Sequence, residues 1–416
     1  MEFGTEFREA HFCFDKKIVP LNHGSFGAIP DCVFKAQSEA LHKVLRDKER
    51  FYLRDLFQDL PEFRKIVGSV LDASPNNIAF VTNATTAVNV VLRSWPFQSG
   101  DKILYTSVIY GSCGNTVKFL ELRSGIKGVK VEIDIKMSED DIVQAIEKAI
   151  DAEKPKMAIF DTVSSLPAIR IPWERLVSVC KQKDVLSLVD GAHGIGLIPI
   201  SLNTIKPDFF TTNLHKWFYT PNSCAVLYVD PKHFRHIHTT PISHSFVRDD
   251  VPVPDEAKRF VDRFDFTGTI DYSAAYSIPA AWKFITDECG GIQKVQAYCN
   301  ELAEKAGKMI AQDFGTEYVS GQGIAMFNVR VPVDIPKEKQ REAVDFMLDY
   351  QLHHSNTYVH LTPHGDHIWS RWSAQIYLEL DDFNQGIKSV RDAIKAWENK
   401  PPSQKTRSFL NSVEED

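Results

Sequence analysis

The chain of 416 residues lacks the cysteine patterns of a disulfide-stapled protein or a zinc knuckle. Its seven cysteines are an odd number, lie far apart and include no C-x-x-C pair. Disulfide frameworks and zinc sites need cysteines that are paired at short, regular spacing. Scattered single thiols are typical of a reducing compartment, so we expect a cytoplasmic protein.

Long apolar runs and basic stripes are also missing. Nowhere do about 18 apolar residues follow one another, and the first residues lack a basic-then-apolar signal pattern. Lys and Arg number 48 against 55 Asp and Glu, without a stripe that would neutralise phosphates. We therefore expect no membrane span, no secretion and no nucleic-acid partner.

The remaining composition, 43% apolar and 25% charged, is that of an ordinary globular protein with two or three domains. Short apolar runs alternate with amphipathic stretches between about residues 75 and 230, which predicts an α/β core with a mostly parallel sheet. The predicted strands are 77–82, 102–106, 157–161, 186–190, 209–213 and 224–229. Ser138 caps a predicted helix at 139–153.

The pattern of predicted helices and strands changes after residue 269. A long helical stretch at 273–314 precedes short strands near 325–331 and 369–380, with a helix at 337–350 between them. We expect a large domain at 31–272, a smaller α+β domain at 273–399, and an N-terminal segment, 1–30, packed on the small domain. The tail, 400–416, has little to bury, and we expect it to be disordered.

Two residues, Asp190 and Lys216, carry the chemical argument. Asp190 ends a buried strand in LVDGAHGIG, and Lys216 follows 26 positions later in TTNLHKWFYTP. A carboxylate at the carboxyl end of a parallel strand lies where α/β sheets bind ligands, and it can keep a pyridine nitrogen protonated. A nearby lysine can form an imine, so the pair suits pyridoxal 5′-phosphate. Either residue alone is more commonly a plain strand end or a surface lysine.

An anion site upstream strengthens this interpretation. The segment Asn83-Ala84-Thr85-Thr86-Ala87 follows a predicted strand and begins an apolar helix. Free N–H groups at a helix N-terminus bind phosphate, although the segment by itself is an ordinary helix cap. Phosphate donors, ring partner and lysine in this order are more specific than any one of them.

Seven segments carry a family resemblance: LNHGSFGAIP (21–30), FVTNATTAVN (80–89), YGSCGNT (110–116), VDGAHGIG (189–196), TNLHKWFYTP (212–221), FTGTIDYSA (266–274) and RWSAQIY (371–377). The chain resembles the class V aminotransferase family of fold-type-I pyridoxal-phosphate enzymes. The branch it resembles most is isopenicillin-N-epimerase-like and includes the hercynylcysteine sulfoxide lyases of ergothioneine biosynthesis. The resemblance implies a mostly parallel seven-stranded sheet in the large domain and a smaller C-terminal domain.

The resemblance also implies roles for individual residues. Lys216 would carry the cofactor as a Schiff base, and Asp190 would face the pyridine nitrogen. The other cofactor contacts would be Ala84, Thr85 and His215 at the phosphate, His193 and Ser165 near the phenolic oxygen, and Tyr110 stacked on the ring. Gly268 and Thr269 would reach the phosphate of the neighbouring subunit, which implies a homodimer with shared active sites.

The substrate implied by the resemblance is a small amino acid. Arg371 would bind its α-carboxylate through the planar guanidinium. Asn22 and His23 would belong to an N-terminal loop that folds over the site. For a bulky trimethylammonium substrate such as hercynylcysteine sulfoxide, aromatic walls are candidates, namely Phe51, Tyr52 and Trp372, unless these rings pack in the core.

Among the reactions of this cofactor class, we expect carbon-sulfur β-elimination. A cysteine desulfurase needs a thiol shortly before the carboxylate-binding arginine, and residues 356–371 contain no cysteine. Lys216 would remove the α-proton, the sulfur group would leave, with Tyr110 or water as its proton donor, and pyruvate and ammonia would form. Epimerisation or transamination remains an alternative, and so does a non-catalytic scaffold, which would be expected to lack the lysine or its carboxylate partner.

The histidines do not favour a metal site. His360, His364 and His367 have helical spacing, but Pro363 and Gly365 would break the helix that could align them. A looser group, His236, His238 and His244, has no ligand spacing. We therefore expect no metal.

Overall fold

The computed structural model describes residues 2–248, 250–319 and 322–400. Apart from Lys400, the expected tail lies outside the described residues. The α-helices are, in chain order, α1 Thr5–His11, α2 His23–Phe26, α3 Asp31–Arg46, α4 Lys48–Arg50, α5 Leu56–Leu71, α6 Ala84–Ser94, α7 Gly111–Ser124, α8 Glu139–Glu153, α9 Trp173–Gln182, α10 Leu202–Ile205, α11 Leu214–Trp217, α12 Glu256–Asp265, α13 Ser273–Tyr276, α14 Ile278–Lys283, α15 Ile292–Phe314, α16 Lys337–His354 and α17 Phe383–Glu398. The strands are β1 Ile78–Val81, β2 Lys102–Thr106, β3 Lys127–Val131, β4 Met157–Asp161, β5 Leu186–Asp190, β6 Phe209–Asn213, β7 Ala225–Val229, β8 Met326–Arg330, β9 His360–His364 and β10 His367–Ser373. Short π-helical turns occupy Phe51–Asp55 and Phe284–Glu288, and 3-10 turns occupy Pro75–Asn77, Pro231–His236 and Leu380–Asp382.

The first seven strands form one sheet in the order β1-β7-β6-β5-β4-β2-β3. β7 pairs antiparallel with β1 and β6, and the other neighbours are parallel. This confirms the expected mostly parallel, seven-stranded sheet. Alternate residues face two apolar clusters, with Leu188 in one and Val189 in the other, so helices cover both faces.

Strand β3 is absent from the sequence-based prediction. Its residues, KGVKV, alternate lysine with small or apolar side chains and are only partly buried. β3 lies at the edge of the sheet, where one flank is unpaired and charged residues prevent further pairing. An edge strand of this kind lacks the continuous apolar run that reveals the central strands.

The carboxyl ends of the parallel strands gather polar side chains at one edge. Asp161, Asp190 and Asn213 are the last residues of the neighbouring strands β4, β5 and β6. Asp161 and Asp190 are register partners. Helices α6 and α7 begin after β1 and β2 and bring their N-termini close to this edge. Ligands of open α/β sheets bind at such an edge.

The second sheet is antiparallel and has the order β8-β10-β9. The prediction of a strand at 369–380 is wrong in its second half, because β10 ends at Ser373. The apolar residues that follow, including Ile376 and Tyr377, are buried in an irregular segment. A short apolar run indicates burial and does not by itself distinguish a strand from a buried loop. β9 was not predicted because Pro363 lies within it.

The N-terminal segment lies against the C-terminal part of the chain. The Gly4 N–H donates to the Ile376 carbonyl at 2.9 Å, and Arg8 forms an ion pair with Asp382 at 3.2 Å. After these contacts the chain continues to α2, which packs beside α11. The domain boundary at residue 272 stays a prediction.

A search of the described residues for a helix long and apolar enough to cross a membrane finds none.

Candidate active site

Lys216 lies in α11, directly after β6, and its Nζ is 3.2 Å from His193 Nε2. Trp217 Nε1 donates to His193 Nδ1 at 3.2 Å. Because indole nitrogen only donates, a neutral His193 carries its proton on Nε2, and Lys216 Nζ then accepts it as an uncharged amine. Desolvation, followed by the positive charge of Arg371, lowers the pKa of Lys216 to about 8. The lysine is thus prepared to act as a nucleophile or base.

Asp190 ends β5 and is only 2% exposed. Its Oδ1 accepts from the Ala192 N–H at 2.9 Å, and its Oδ2 accepts from the Cys113 thiol at 3.5 Å. Burial raises the pKa of Asp190, while the Ala192 N–H, the Lys216 charge and the thiol favour the carboxylate. A buried carboxyl with these donors can bind a protonated ring nitrogen.

The N-terminus of α6 offers fewer free donors than the sequence suggested. Asn83 caps the Thr86 N–H at 2.8 Å, and the Ala84 N–H donates to Asn213 Oδ1 at 2.9 Å. The expected main-chain contact of Ala84 with a phosphate is therefore already taken by a protein group. Among the described residues, none accepts from the Thr85 N–H, which leaves Thr85 as the free donor of this helix end.

His215 makes a hydrogen bond that restricts its expected role. Its Nδ1 is 3.0 Å from the Cys224 carbonyl, which only accepts, so Nδ1 carries the proton. A neutral ring then presents Nε2 as an acceptor, and burial lowers the pKa of His215 to about 4. Donation to a phosphate requires the protonated ring, a form that a nearby phosphate dianion favours.

Arg371, Ser165 and Asn22 meet in one cluster. Arg371 is 1% exposed, and one terminal nitrogen donates to the Ser165 carbonyl at 3.0 Å and to its hydroxyl at 3.3 Å. The other donates to Asn22 Oδ1 and Ser25 Oγ, both at 2.6 Å. Within residues 2–248, 250–319 and 322–400, no carboxylate pairs with this guanidinium. Burial lowers the pKa of Arg371 to about 10. A buried cation without a counter-ion attracts a carboxylate ligand.

Ser165 contacts Arg371, and its expected contact with the phenolic oxygen of the cofactor stays a prediction. His23, expected in the N-terminal loop that folds over the site, makes two hydrogen bonds within the protein. Its Nε2 donates to the Lys216 carbonyl and its Nδ1 accepts from the Tyr377 hydroxyl, both at 2.9 Å. With both nitrogens engaged and the ring buried, His23 positions the N-terminal loop on the lysine backbone. Gly27 permits this approach, because at its φ of 74° a Cβ would lie 1.9 Å from the His215 carbonyl oxygen.

Tyr110, Gly268 and Thr269 are the most open of the expected residues. Tyr110 caps α7 and is 48% exposed. Gly268 and Thr269 follow α12, and Thr269 is exposed. The Gly268 carbonyl accepts only locally, from the Ile270 N–H at 3.0 Å and the Tyr272 hydroxyl at 3.4 Å. The hydrogen bonds of one chain therefore do not bring this loop to Lys216.

Several residues at the site were missed from the sequence. Asp161 carries the same signal as Asp190, a carboxylate that ends an apolar strand. Cys113 lies inside the segment YGSCGNT (110–116). Tyr358 had no signal, and His360 was considered only as a metal ligand. The β9–β10 register places His360 opposite Arg371, and the Tyr358 hydroxyl is 3.2 Å from His360 Nδ1. Strand pairing between distant segments is invisible in a single sequence.

Two of the three candidate aromatic walls are core residues. Phe51 is 1% exposed, and Trp372 is fully buried against Phe327 and Gly386. Tyr52 is partly exposed, and its hydroxyl donates to the Ile270 carbonyl at 3.3 Å. Of these rings, Tyr52 alone is placed beside the 268–270 loop.

Two of the histidines considered for a metal, His360 and His364, each contact a different residue. His364 Nε2, for example, accepts from the Ile135 N–H at 3.0 Å. In the part of the chain that the structure describes, no group of three His, Cys, Asp or Glu side chains could hold a metal ion.

The residues present fit pyridoxal phosphate. A buried lysine amine with a lowered pKa, a buried carboxyl at the strand end and the free Thr85 N–H at a helix N-terminus are the three groups that the imine, the ring nitrogen and the phosphate require. The Asp161 Oδ2 atom, which is buried and without a partner, adds an unsatisfied polar group at the same edge.

Comparisons with known proteins identify the family to which the chain belongs. Hercynylcysteine sulfoxide lyase of Schizosaccharomyces pombe is 31% identical over 396 residues, covering 94% of this chain and 97% of that protein. The L-cysteine desulfhydrase-like protein lolT1 of Epichloe uncinata is 28% identical and covers 94% of this chain and 95% of its own length. A structure of a C-DES mutant with glycine covalently linked to the pyridoxal-phosphate cofactor matches with a TM-score of 0.76 at 16% identity, over 91% of this chain and 97% of that one. Residues 30–331 match the family described as Aminotransferase class-V. The chain belongs to the class V aminotransferase family of pyridoxal-phosphate enzymes.

Proposed function

We propose that this protein is a pyridoxal-phosphate-dependent carbon-sulfur β-lyase that acts on a cysteine S-conjugate or its sulfoxide. The observation that carries the proposal is the presence in one site of Lys216, whose pKa is lowered to about 8 by burial, and Arg371, a buried cation that lacks a carboxylate partner among the described residues. The first group can take an α-proton, and the second can bind an α-carboxylate. The names of the two relatives, a sulfoxide lyase and a desulfhydrase-like protein, support the same bond cleavage.

Each side chain of the site has a separate role in the proposed reaction. When bound, pyridoxal phosphate supplies the electron sink that makes the α-proton of the amino acid removable. Lys216 Nζ takes that proton, and the Nε2–H of His193 holds the amine in place. The electron pair of the carbon-sulfur bond then leaves with sulfur, which receives a proton from the Tyr110 hydroxyl or from water. The released enamine takes up water and gives pyruvate and ammonia.

The cysteines argue against a persulfide route. Residues 356–371, which precede and include Arg371, contain no cysteine. Cys13 and Cys32 are exposed, and the other five are buried. Burial raises the pKa of Cys289 to about 12, so this thiol is a poor nucleophile. β-Elimination needs no such thiol.

For the substrate, we propose hercynylcysteine sulfoxide. The support is the likeness to the fission yeast enzyme along nearly the whole length of both chains. Tyr52 is the aromatic side chain available for its trimethylammonium group.

We also propose a homodimer in which Gly268 and Thr269 complete the phosphate site of the partner. Exposed apolar side chains support a buried interface: Phe34, Leu41 and Leu45 on α3, with Leu53 and Phe57 after it. Monomers rarely expose such a contiguous set. Mixing Lys216→Ala chains with Thr269→Ala chains should restore part of the activity if each site uses both chains.

The seven unpaired thiols support a cytoplasmic location.

The activity is tested by incubating purified protein with hercynylcysteine sulfoxide or a simple cysteine S-conjugate and measuring pyruvate. We expect pyruvate and ammonia in equal amounts, and neither with Lys216→Ala. Racemised substrate without pyruvate would show an epimerase, and a 2-oxo acid that keeps its sulfur would show a transaminase. Either result would contradict the lyase proposal.

A further inference from the structure

Two buried carboxyl groups lie side by side beneath the active site. Asp161 and Asp190 end β4 and β5, are register partners in a parallel pair, and are 3% and 2% exposed. Neighbouring strands are about 4.8 Å apart, and register partners point to the same face of a sheet. The preceding residues, Phe160 and Val189, belong to one apolar cluster, so both carboxyls face the opposite side, where α7 packs.

The surroundings of the two carboxyls are unequal. Asp190 has a donor for each oxygen, the Ala192 N–H and the Cys113 thiol. The Asp161 Oδ2 atom is buried and has no hydrogen-bond partner among residues 2–248, 250–319 and 322–400. A charged oxygen in the interior without a donor costs several kcal/mol, so the donors favour a negative charge on Asp190 and a proton on Asp161.

The charges near the two carboxyl groups also favour one carboxylate and one neutral acid. Lys216 is the cation that favours both carboxylates, and Cys113 contributes only a thiol. Burial and the charge of Arg371 lower the pKa of Lys216 to about 8, which weakens this cation. One such cation cannot balance two buried carboxylates.

We propose that Asp161 is held as a neutral carboxylic acid, so that Asp190 carries the single negative charge of the pair and can bind the protonated ring nitrogen of the cofactor. Asp161 is thus a positioning residue that acts through Asp190. The inference rests on the proposed role of Asp190 at the ring nitrogen. In agreement, burial and then the charge of Asp190 raise the pKa of Asp161 well above its usual range.

The raised pKa has a consequence for stability. A carboxyl whose pKa is higher in the folded state favours folding below its unfolded pKa of about 3.9, and that contribution is lost as pH rises through the folded pKa. Asp161→Asn removes the titration and keeps the shape of the neutral acid. We expect this variant to be at least as stable as wild type at pH 7 in urea unfolding and to gain relative to it as pH rises.

The direct test uses cofactor-free protein labelled with ¹³C at the aspartate carboxyls. Infrared spectra in D₂O at pH 7 should show the carbonyl stretch of a protonated carboxylic acid in wild type and lose it in Asp161→Asn. Asp208→Asn, which removes a different buried aspartate, serves as the control and should keep the band. Absence of the band in wild type, or its persistence in Asp161→Asn, would overturn the proposal. The wild-type measurement needs no variant to fold.

Cofactor binding tests the link to Asp190. We expect Asp161→Asn to bind pyridoxal phosphate within about threefold of wild type at pH 7 with an unchanged absorption band, and Asp190→Asn to bind at least about tenfold more weakly with a shifted band. A loss in Asp161→Asn as large as that in Asp190→Asn would contradict a neutral Asp161. If Asp190→Asn bound and absorbed like wild type while the infrared band was present, the role of Asp190 would fail, and the positioning role of Asp161 with it.

Discussion

Buried carboxyl groups at the two ends of the same parallel strands differ in their hydrogen bonding. At the amino end, Asp208 precedes β6 and accepts from the Ser187 N–H and hydroxyl at 2.9 Å, from His233 Nε2 at 2.8 Å and from Lys232 Nζ at 2.7 Å. Despite burial, the His233 and Lys232 hydrogen bonds hold the pKa of Asp208 well below its usual range. At the carboxyl end, Asp161 has an oxygen without any partner.

The difference separates structural from functional polar groups. Native proteins satisfy buried polar atoms almost completely, so an unsatisfied one in a well-packed core marks a place prepared for something else. At the amino end of the sheet, protein groups satisfy the buried Asp208 carboxylate, and these hydrogen bonds stabilise the fold. The carboxyl end keeps an unpaired guanidinium, an unpartnered carboxyl oxygen and a free helix N–H, all of which a ligand can satisfy.

The largest effect is expected from removing the reactive amine. Lys216→Ala should lower pyruvate formation by at least about 10³-fold, because no other base occupies its place. It should also abolish the absorption band of the lysine-bound cofactor. Lys232→Ala, at the amino end, is the matched control and should keep the activity of folded protein. Comparable loss of activity in both variants would break the distinction between the ends.

Arg371→Lys should come next, with kcat/KM falling about 100-fold. A single ammonium cannot reproduce the planar set of donors that engages Ser165, Asn22 and Ser25. Steady-state kinetics should show most of the loss in KM for the amino acid. An unchanged KM would mean that the substrate carboxylate binds elsewhere.

Asp208→Asn should affect stability and spare catalysis. Replacing a buried carboxylate that accepts from His233 and Lys232 should cost about 3 kcal/mol in urea unfolding at pH 7. Because the pKa of Asp208 is lowered in the folded protein, its contribution is present above an unfolded pKa of about 3.9 and is lost as pH falls below it. The wild type and the variant should therefore converge in stability in acid. A constant difference down to low pH would refute this assignment.

The smallest effects distinguish two serines. Ser25→Ala removes a 2.6 Å contact to Arg371 and should lower kcat/KM about fivefold with little change in stability. Ser187→Ala removes one donor to Asp208 and should cost about 1 to 2 kcal/mol of unfolding free energy with kinetics unchanged. Kinetics and urea unfolding of both variants provide the measurement, and an exchange of the two phenotypes would contradict the comparison.

Much of the large sheet could be predicted from the sequence. β4, β5 and β6 are short buried segments rich in apolar residues that end in Asp161, Asp190 and Asn213, and their predicted and observed bounds agree. The edge strand β3 and the proline-containing β9 could not be predicted, because neither has an apolar run. The placement of Lys216 and Asp190 at one edge followed from chain order, since parallel strands present their carboxyl ends together.

The hydrogen bonds of the site could not be predicted in the same way. Nothing in the order of residues shows that Ala84 donates to Asn213, that His23 is attached to the Lys216 carbonyl, or that Ser165 contacts Arg371. Each of these bonds joins residues more than a hundred positions apart. Their geometry depends on how whole segments pack.

By itself, the sequence determined the fold class, the order of phosphate donors, ring partner and lysine, and the absence of a cysteine from residues 356–371. These are properties of local patterns and of chain order, which periodicity and residue chemistry express directly. Only the tertiary structure decided which donors are already taken, that burial and Arg371 lower the pKa of Lys216 to about 8, and that Asp161 lies beside Asp190. Charge state and hydrogen bonding depend on burial and on neighbours in space, and strand pairing brings together groups that the chain keeps apart.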